Sequence, residues 1–149
     1  NKLKKKVKNK GLKNCLFIGL VSKIELAKIL KDSVHVGLMV LSNIPEFYNG
    51  TSPNKFFDYL ACGLPIINNY PGWLAELIKE NNCGLVVNPE DPVAFADALI
   101  KLSKDSLLTS RMGENSYKIS KEKFSRKLLI LKFEQFIEKK YFNFKKNNL

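Results

Sequence analysis

A polar loop and the helix after it are the part of the sequence best suited to binding a ligand. The loop covers residues 42–51, and the Ser-Pro pair that follows is typical of a helix start. There the first backbone N–H groups lack acceptors within the helix, and the helix dipole presents its positive end. We therefore expect the amides of Ser52, Asn54 and Lys55 to favour an anion, most naturally a phosphate. Gly50 would let backbone approach it closely.

One acidic side chain lies a turn further into the same helix. Asp58 stands four residues after Asn54 and shares its face. A carboxylate set back one turn from a phosphate site cannot touch the phosphates without repulsion, but it can accept hydrogen bonds from the ribose hydroxyls of a nucleotide. In the alternative interpretation Ser52 only caps the helix, and Asp58 is solvated or paired with Lys55. The residues by themselves leave both interpretations open.

Apolar runs and helical segments alternate along the chain and determine where this loop lies. This order, with short connections, is typical of a Rossmann-like α/β fold, a parallel sheet with helices on both faces. In such sheets ligands bind beyond the carboxyl ends of the strands, which is where the loop is expected. Four buried strands are predicted, at residues 15–19, 34–41, 66–67 and 84–87.

Capping residues mark the helix boundaries. Ser22 with Glu25 forms a capping box and predicts a helix to about residue 31. The helix that Ser52 begins is expected to end at Gly63. Further helices are predicted at residues 73–81 and from Asp91-Pro92 to the chain end, with breaks near Gly113 and Phe124-Ser125.

The number of strands bears on the domain organisation. Four strands are few for such a domain, and the sequence has no Gly-rich first turn of the kind that opens dinucleotide-binding folds. We expect residues 1–149 to form a single partial domain whose first strands lie outside this sequence. Its core would span about residues 12–140, between basic flexible ends at residues 1–11 and 141–149.

The formal net charge of +11 is concentrated near the chain ends. Residues 1–13 carry seven Lys and no acid, and residues 118–149 carry ten basic and three acidic groups. The stretch between them has eight basic and eleven acidic residues. Nucleic-acid-binding domains usually place their basic excess on a structured face, so no nucleic acid is expected as a partner. The alternative is a non-catalytic module whose Lys-rich ends bind nucleic acid or an anionic membrane.

Composition excludes several classes of protein. Apolar residues make up 45% and charged residues 26% of the chain, which argues against a disordered protein. The runs without polar side chains, such as residues 36–41 and 60–67, are too short to span a bilayer, and no signal peptide is recognisable. His35 lies in an apolar run and is expected in the core. Cys15, Cys62 and Cys83 lack metal-site spacing and are expected to be buried thiols.

The stretch from Ser52 to Ile67 resembles the donor-site segment of retaining glycosyltransferases of family 4. It reads Ser-Pro-Asn-Lys-Phe-Phe-Asp-Tyr-Leu-Ala-Cys-Gly-Leu-Pro-Ile-Ile. The family pattern is a Glu, seven residues, a second Glu, then small-Met-Ala-Cys-Gly-Thr-Pro-Val. Residues 68–73 further resemble a bacterial subgroup that builds surface polysaccharides, including fucosamine transferases. The resemblance covers nearly all of residues 12–140 and implies the C-terminal, donor-binding half of a GT-B enzyme, which has two Rossmann-like domains facing across a cleft.

The resemblance implies roles for the residues around the helix start. Asp58 matches the second Glu, which implies contact with the donor ribose. Thr51, Ser52 and Asn54 match the segment whose amides meet the diphosphate. The family's diphosphate-binding Arg and Lys lie upstream of this sequence. Lys55 is the only cation inside the motif, and whether it binds phosphate is left open.

Other positions are implied to meet the base and the sugar. Gly19 and Leu20 match the backbone near the nucleobase. Gly50 stands where the family's first Glu contacts the donor sugar, so that acidic contact is missing there. Glu46 is the candidate to replace it and is the one catalytic candidate in the chain. Trp73 is expected either to stack on a base or sugar or to pack on the sheet.

The function implied is the binding of a nucleotide-diphosphate sugar, with UDP-sugar as the expected donor. The complete enzyme would transfer the sugar with retention to a glycan or lipid-linked acceptor, in the synthesis of bacterial lipopolysaccharide or capsule. The chain alone is expected to be inactive, because half of the cleft is outside it. No metal or cofactor is expected. The implied location is the cytoplasm, with peripheral contact at the inner face of the cell membrane.

Overall fold

The computed structural model describes residues 2–148, which form three strands and eight helices. The strands are β1 (Gly37–Met39), β2 (Ile66–Asn68) and β3 (Gly84–Val86). The helices are α1 (Lys2–Asn9), α2 (Lys23–Ser33), α3 (Phe47–Gly50), α4 (Asn54–Ala61), α5 (Trp73–Glu80), α6 (Pro92–Lys104), α7 (Ser106–Phe124) and α8 (Arg126–Asn148).

The three strands form one parallel sheet in the order β1-β2-β3. Gly37 lies beside Ile66, and Ile66 lies beside Gly84. Because consecutive side chains of a strand point to opposite faces of the sheet, Ile66 and Ile67 belong to two separate core clusters. Helices cover both faces, so the predicted α/β architecture is confirmed.

The core clusters show which helices cover each face of the sheet. α4, α5 and α7 pack on the face of Ile66, and α6 with the first half of α7 packs on the face of Ile67. The buried members of the first cluster are Met39, Phe56, Leu60, Ile66, Tyr70, Leu74, Ile78, Cys83 and Ile119. Those of the second are Ile67, Ala98, Leu102 and Met112.

The strand predicted at residues 15–19 is absent, and that prediction was wrong. These residues have no regular structure, and the Leu16 and Leu20 side chains are 85% and 106% exposed. A strand needs a hydrogen-bonded neighbour to satisfy its backbone groups. Within residues 2–148 the sheet ends at β1, so this apolar run has no neighbouring strand.

Tyr59 of α4 covers the outer edge of β1. The Gly37 N–H donates to Pro65 O of the β2 side at 2.9 Å, so the next N–H along the strand points away from β2. Burial raises the pKa of the Tyr59 hydroxyl, and the nearby backbone of that next residue, Leu38, lowers it in part. A Cβ at Gly37 would lie 2.4 Å from the Tyr59 ring, so only glycine allows the ring to lie there.

Most predicted helix boundaries are confirmed. The Ser22 hydroxyl accepts from Glu25 N at 3.2 Å, and the Glu25 carboxylate accepts from Ser22 N at 2.9 Å, which completes the capping box. Asp91 caps α6 by accepting from Ala94 N at 2.8 Å. α5 begins at Trp73, as expected.

The break predicted near Gly113 does not occur, since α7 runs through this position. Gly113 serves instead for a close approach between helices: a Cβ there would lie 2.4 Å from the carbonyl oxygen of Gly63. Gly63 itself ends α4 with φ +70°, as predicted for a glycine at a helix end.

Two expectations about burial were wrong. β1 covers only Gly37–Met39, so His35 precedes the strand and is exposed. Of the three free thiols, Cys83 is buried, Cys62 is half-buried and Cys15 is exposed. Cys15 is exposed because the segment around it does not join the sheet.

The basic chain ends are helical in the described residues. α1 contains no buried residue, and α8 continues the chain to Asn148. Exposed apolar side chains of α8 include Phe133, Phe136 and Phe142. None of the helices within residues 2–148 is both long and apolar enough to cross a membrane.

Candidate functional site

The predicted ligand-binding loop leaves the carboxyl end of β1 and enters α4. It contains the short helix α3, which the sequence did not predict. The connection from β2 to α5, residues 69–72, leaves the same edge of the sheet, because β1 and β2 are parallel. Two consecutive loops therefore meet at this edge, as expected for a binding site in an open α/β sheet.

Asn69 fixes the beginning of the loop. Its side-chain amide donates to Leu41 O at 3.0 Å, and its Oδ1 accepts from Leu41 N at 2.9 Å. The Asn69 N–H also donates to Met39 O at 3.2 Å. One asparagine thus satisfies backbone groups that would otherwise be unpaired at the end of β1.

Gly72 and Trp73 hold the end of the loop. A Cβ at Gly72, which has φ +106°, would lie 2.0 Å from Tyr48 O, so only glycine lets α3 approach this closely. The Trp73 indole N–H donates to Thr51 O at 3.0 Å, and its ring packs edge-on against Phe56. Of the two roles expected for Trp73, the structure shows packing.

The N-terminus of α4 presents two unpaired amides. α4 begins at Asn54, one residue later than predicted, and the residue before it, Pro53, has no N–H. Within the described chain, the N–H groups of Asn54 and Lys55 have no acceptor, whereas that of Phe56 bonds Pro53 O at 3.0 Å. Ser52 is exposed and forms no side-chain cap. An anion could therefore accept hydrogen bonds from two adjacent amides.

The Thr51 amide is already occupied. It donates to Phe47 O at 3.2 Å, while the Thr51 carbonyl accepts from Trp73. Of the three residues matched to the diphosphate segment, only Ser52 and Asn54 have N–H groups without a partner in the described residues.

Asp58 forms an ion pair with a residue that sequence reasoning missed. Its Oδ2 lies 2.5 Å from Nζ of Lys23, the first residue of α2. The expected alternative, a pair with Lys55, is not formed. The Asp58 side chain is 25% exposed and the Lys23 side chain 69% exposed, so ligand can reach both. No local signal in the sequence connects two residues 35 positions apart.

The remaining candidate residues lie in two segments, one around α3 and one before α2. Glu46 precedes α3 and is exposed. A Cβ at Gly50 or at Gly19 would meet nothing within 4 Å, so backbone there is open to a ligand. Gly19 and Leu20 belong to the exposed segment before α2, and the structure records no hydrogen bond between either residue and α4.

Cys62 lies one turn beyond Asp58 on α4. Burial raises the pKa of the Cys62 thiol, and the neighbouring Asp58 carboxylate raises it further. The thiol is therefore neutral and a poor nucleophile near neutral pH.

A cleft of about 300 Å³ lies at the same edge of the sheet, between the ends of the strands and the start of α6. The cleft is lined by Val40, Asn69, Asn88, Glu90, Asp91, Pro92 and Phe95.

Residues 2–148 contain no cluster of three His, Cys, Asp or Glu side chains that could hold a metal ion.

Residues 1–119 match the family described as Glycosyl transferases group 1. The chain belongs to this family. Its fold is that of the C-terminal domain of GT-B glycosyltransferases, as the resemblance in the sequence implied.

Curated relatives are similar over part of the chain. N-acetyl-alpha-D-glucosaminyl L-malate synthase of Bacillus anthracis is 31% identical over 75 residues, which is 50% of this chain and 20% of that protein. Probable sucrose-phosphate synthase 2 of Oryza sativa subsp. japonica is 48% identical over 56 residues, 38% of this chain and 6% of that protein. The chain thus spans a fifth or less of these two curated relatives.

Two solved structures show the same fold. Sucrose-phosphate synthase from Thermosynechococcus elongatus aligns with 94% of this chain and 34% of its own, at a TM-score of 0.76 and 20% identity. The C-terminal domain of the glycosyl transferase group 1 protein LpcC from Francisella tularensis aligns with 84% of this chain and 62% of its own, at a TM-score of 0.68 and 21% identity.

Proposed function

We propose that this chain is the donor-binding half of a retaining glycosyltransferase of family 4, and that it binds a nucleotide-diphosphate sugar at the N-terminus of α4. The observation that carries the proposal is that α4 presents unpaired backbone amides at its start and a carboxylate one turn further along. The unpaired amides of Asn54 and Lys55 suit a phosphate, and Asp58 lies one turn behind them. That spacing suits a nucleotide, whose ribose hydroxyls lie next to its phosphates.

Each group has a distinct part in binding. The amides of Ser52, Asn54 and Lys55 donate hydrogen bonds to the diphosphate, and Gly50 leaves room for it. Asp58 accepts hydrogen bonds from the ribose hydroxyls. Gly19 and Leu20 supply backbone near the base. We propose UDP as the nucleotide, an assignment that rests on the resemblance to the polysaccharide-building subgroup.

The reaction we propose is sugar transfer with retention to a glycan or lipid-linked acceptor. As the bond to the diphosphate breaks, negative charge grows on the leaving oxygens, and fixed N–H donors aimed at that charge stabilise it. Glu46 is the candidate for an acidic contact to the donor sugar, because Gly50 cannot supply one. No metal is part of the proposal.

Calorimetry with UDP tests the site. We expect the 149-residue chain to bind UDP and Asp58→Ala to weaken binding about tenfold, as the loss of a charge-assisted hydrogen bond does. Asp97→Ala is the matched control, since Asp97 is an exposed carboxylate on α6, outside the site. Wild-type protein that binds neither UDP nor GDP, or an Asp58→Ala variant with unchanged affinity, contradicts the proposal.

The acceptor-binding half of the cleft lies outside this chain in our proposal. We therefore expect the chain to bind UDP-sugar without transferring or hydrolysing it. Chromatographic detection of released UDP after prolonged incubation measures this. Turnover by the chain alone would show that the residues for catalysis are already present.

Peripheral membrane contact is a second proposal, which one feature of α8 favours. This helix exposes apolar side chains and carries Lys132, Lys139 and Lys140, a composition suited to an anionic bilayer surface. We expect sedimentation with vesicles rich in phosphatidylglycerol, decreasing when Phe133 and Phe136 are changed to Ser. Equal binding to neutral and anionic vesicles would contradict this contact, and so would full binding by the double variant. Either result would also contradict the location at the inner membrane face.

A further inference from the structure

α2 is joined to the candidate site by a single charged contact. Of its side chains, only Leu30 is buried. Among residues 2–148 the Lys23–Asp58 pair is the one recorded side-chain hydrogen bond between α2 and the rest of the protein. The other polar contacts at the start of α2 belong to its own capping box, formed by Ser22 and Glu25. The Lys23 ammonium is therefore held at the site by Asp58.

The position of this ammonium relative to the unpaired amides follows from helix geometry. Asp58 is four residues after Asn54, which corresponds to about 6 Å along the α4 axis. The Lys23 Nζ lies 2.5 Å from Asp58 Oδ2, and the lysine stem is flexible and largely exposed. An anion on the Asn54 and Lys55 amides would thus lie within reach of Lys23.

The pair has a second consequence for Asp58. Lys23 contacts only Oδ2, and Oδ1 has no partner among the described residues. An unpaired carboxylate one turn from a diphosphate would repel it. A lysine ammonium between Asp58 and the phosphates offsets this repulsion, and Oδ1 is open to a hydroxyl.

We propose that Lys23 is a specificity residue for the phosphates of a nucleoside diphosphate. In the empty protein Asp58 holds its ammonium. When the ligand binds, Lys23 turns to the phosphates, and Asp58 is released to bind the ribose. The inference rests on the proposed donor site. It adds a second cation to that site, because Lys55 is the only cation within residues 52–67. It assigns Lys23 to the recognition of phosphate charge, whereas Asp58 recognises the sugar of the nucleotide.

Paired titrations of the 149-residue chain with UDP and with uridine separate these roles. We expect Lys23→Met to raise the Kd for UDP roughly tenfold, the usual effect of losing one charge-assisted hydrogen bond. The Kd for uridine should change less than about twofold, because uridine has no phosphate. Lys23→Arg should restore most of the UDP affinity, since it keeps the charge. Lys28→Met is the matched control, an exposed lysine on the same helix.

Equal weakening of UDP and uridine by Lys23→Met would overturn the inference, because it indicates a structural effect on the site. Unchanged UDP affinity would overturn it as well. Circular dichroism of each variant shows whether it is folded, and Lys23→Gln repeats the test if the methionine variant is not. If wild-type protein binds neither UDP nor GDP, the donor site itself is wrong. If Asp58→Ala weakens UDP binding and Lys23→Met does not, the donor site stands and only the role of Lys23 fails.

Discussion

Asn69 and Leu41 exchange two hydrogen bonds, in which the side-chain amide of one residue pairs with both backbone groups of the other, at 2.9 and 3.0 Å. The contact has the form of a backbone pair in a sheet and extends the pairing of β1 with β2 beyond the last strand residue. It joins the two loops that build the candidate site. The beginning of the ligand-binding loop is therefore fixed by a residue 28 positions away in the sequence.

Asn69→Ala is expected to lower the free energy of unfolding by about 2 kcal/mol, because it leaves the N–H and C=O of Leu41 without partners. Urea unfolding followed by circular dichroism measures the change. Asn88→Ala is the control, since Asn88 is exposed at the same edge of the sheet and forms no recorded hydrogen bond there. Equal stability of the two variants would show that the amide does not hold the loop.

Gly113→Ala is expected to destabilise the protein by about 2 kcal/mol. The added Cβ would lie 2.4 Å from the carbonyl oxygen of Gly63, and this oxygen is backbone that cannot rotate away. Gly19→Ala should change stability by less than about 0.5 kcal/mol, since nothing lies within 4 Å of its Cβ position. Thermal unfolding of both variants compares them directly. Unchanged stability of the Gly113→Ala variant would contradict the close approach of α7 to the end of α4.

Tyr70→Phe is expected to raise stability by about 1 kcal/mol at neutral pH. The Tyr70 side chain is fully buried and its hydroxyl has no hydrogen-bond partner among the described residues, so removing the hydroxyl removes an unsatisfied polar group. Chemical unfolding at pH 7 measures the gain. A loss of more than about 1 kcal/mol would show that the hydroxyl is in fact bonded.

The same tyrosine and Cys83 predict a loss of stability in alkali. Burial raises the pKa of Tyr70 to about 12 and that of Cys83 to about 11. Each group favours its neutral form in the folded state, so its contribution is fully present below its unfolded pKa and is lost as pH rises toward the folded value. We expect stability to fall from about pH 9 upward, first through Cys83. Tyr70→Phe should flatten the part of the curve above about pH 10, and an unchanged curve would contradict this origin.

Alkylation should distinguish the three thiols. Cys15 is exposed, Cys62 is half-buried with a raised pKa, and Cys83 is buried with a pKa of about 11. Because the thiolate is the reactive form, iodoacetamide at pH 8 should label Cys15 first, and Cys83 roughly a hundredfold more slowly. Peptide mass spectrometry over time measures the order. Labelling of Cys83 as fast as Cys15 in folded protein would contradict its burial.

The sequence predicted the fold class and most helix boundaries because these depend on neighbouring residues. The Ser22–Glu25 capping box and the Asp91 cap each form within one helical turn, and both are present. The loop after β1 and the helix start near Asn54 were located in the same way. The strand prediction at residues 15–19 failed because an apolar run shows only that a strand is possible. Pairing also requires a neighbouring strand, and none lies beside this run within residues 2–148.

By itself, the sequence determined most of the helical segments and their alternation with parallel strands. It also showed that the loop after β1 leads to the backbone amides of a helix start, with an acidic residue one turn further in. Those properties follow from local spacing, capping and periodicity. The tertiary structure alone decided that Lys23 pairs with Asp58, that Asn69 fixes Leu41 and that Trp73 holds Thr51. Each of these contacts joins residues more than 20 positions apart. The Asn69 and Trp73 contacts exist because the parallel sheet brings the loops after β1 and β2 to one edge. Residue types alone do not specify which side chains meet in any of the three.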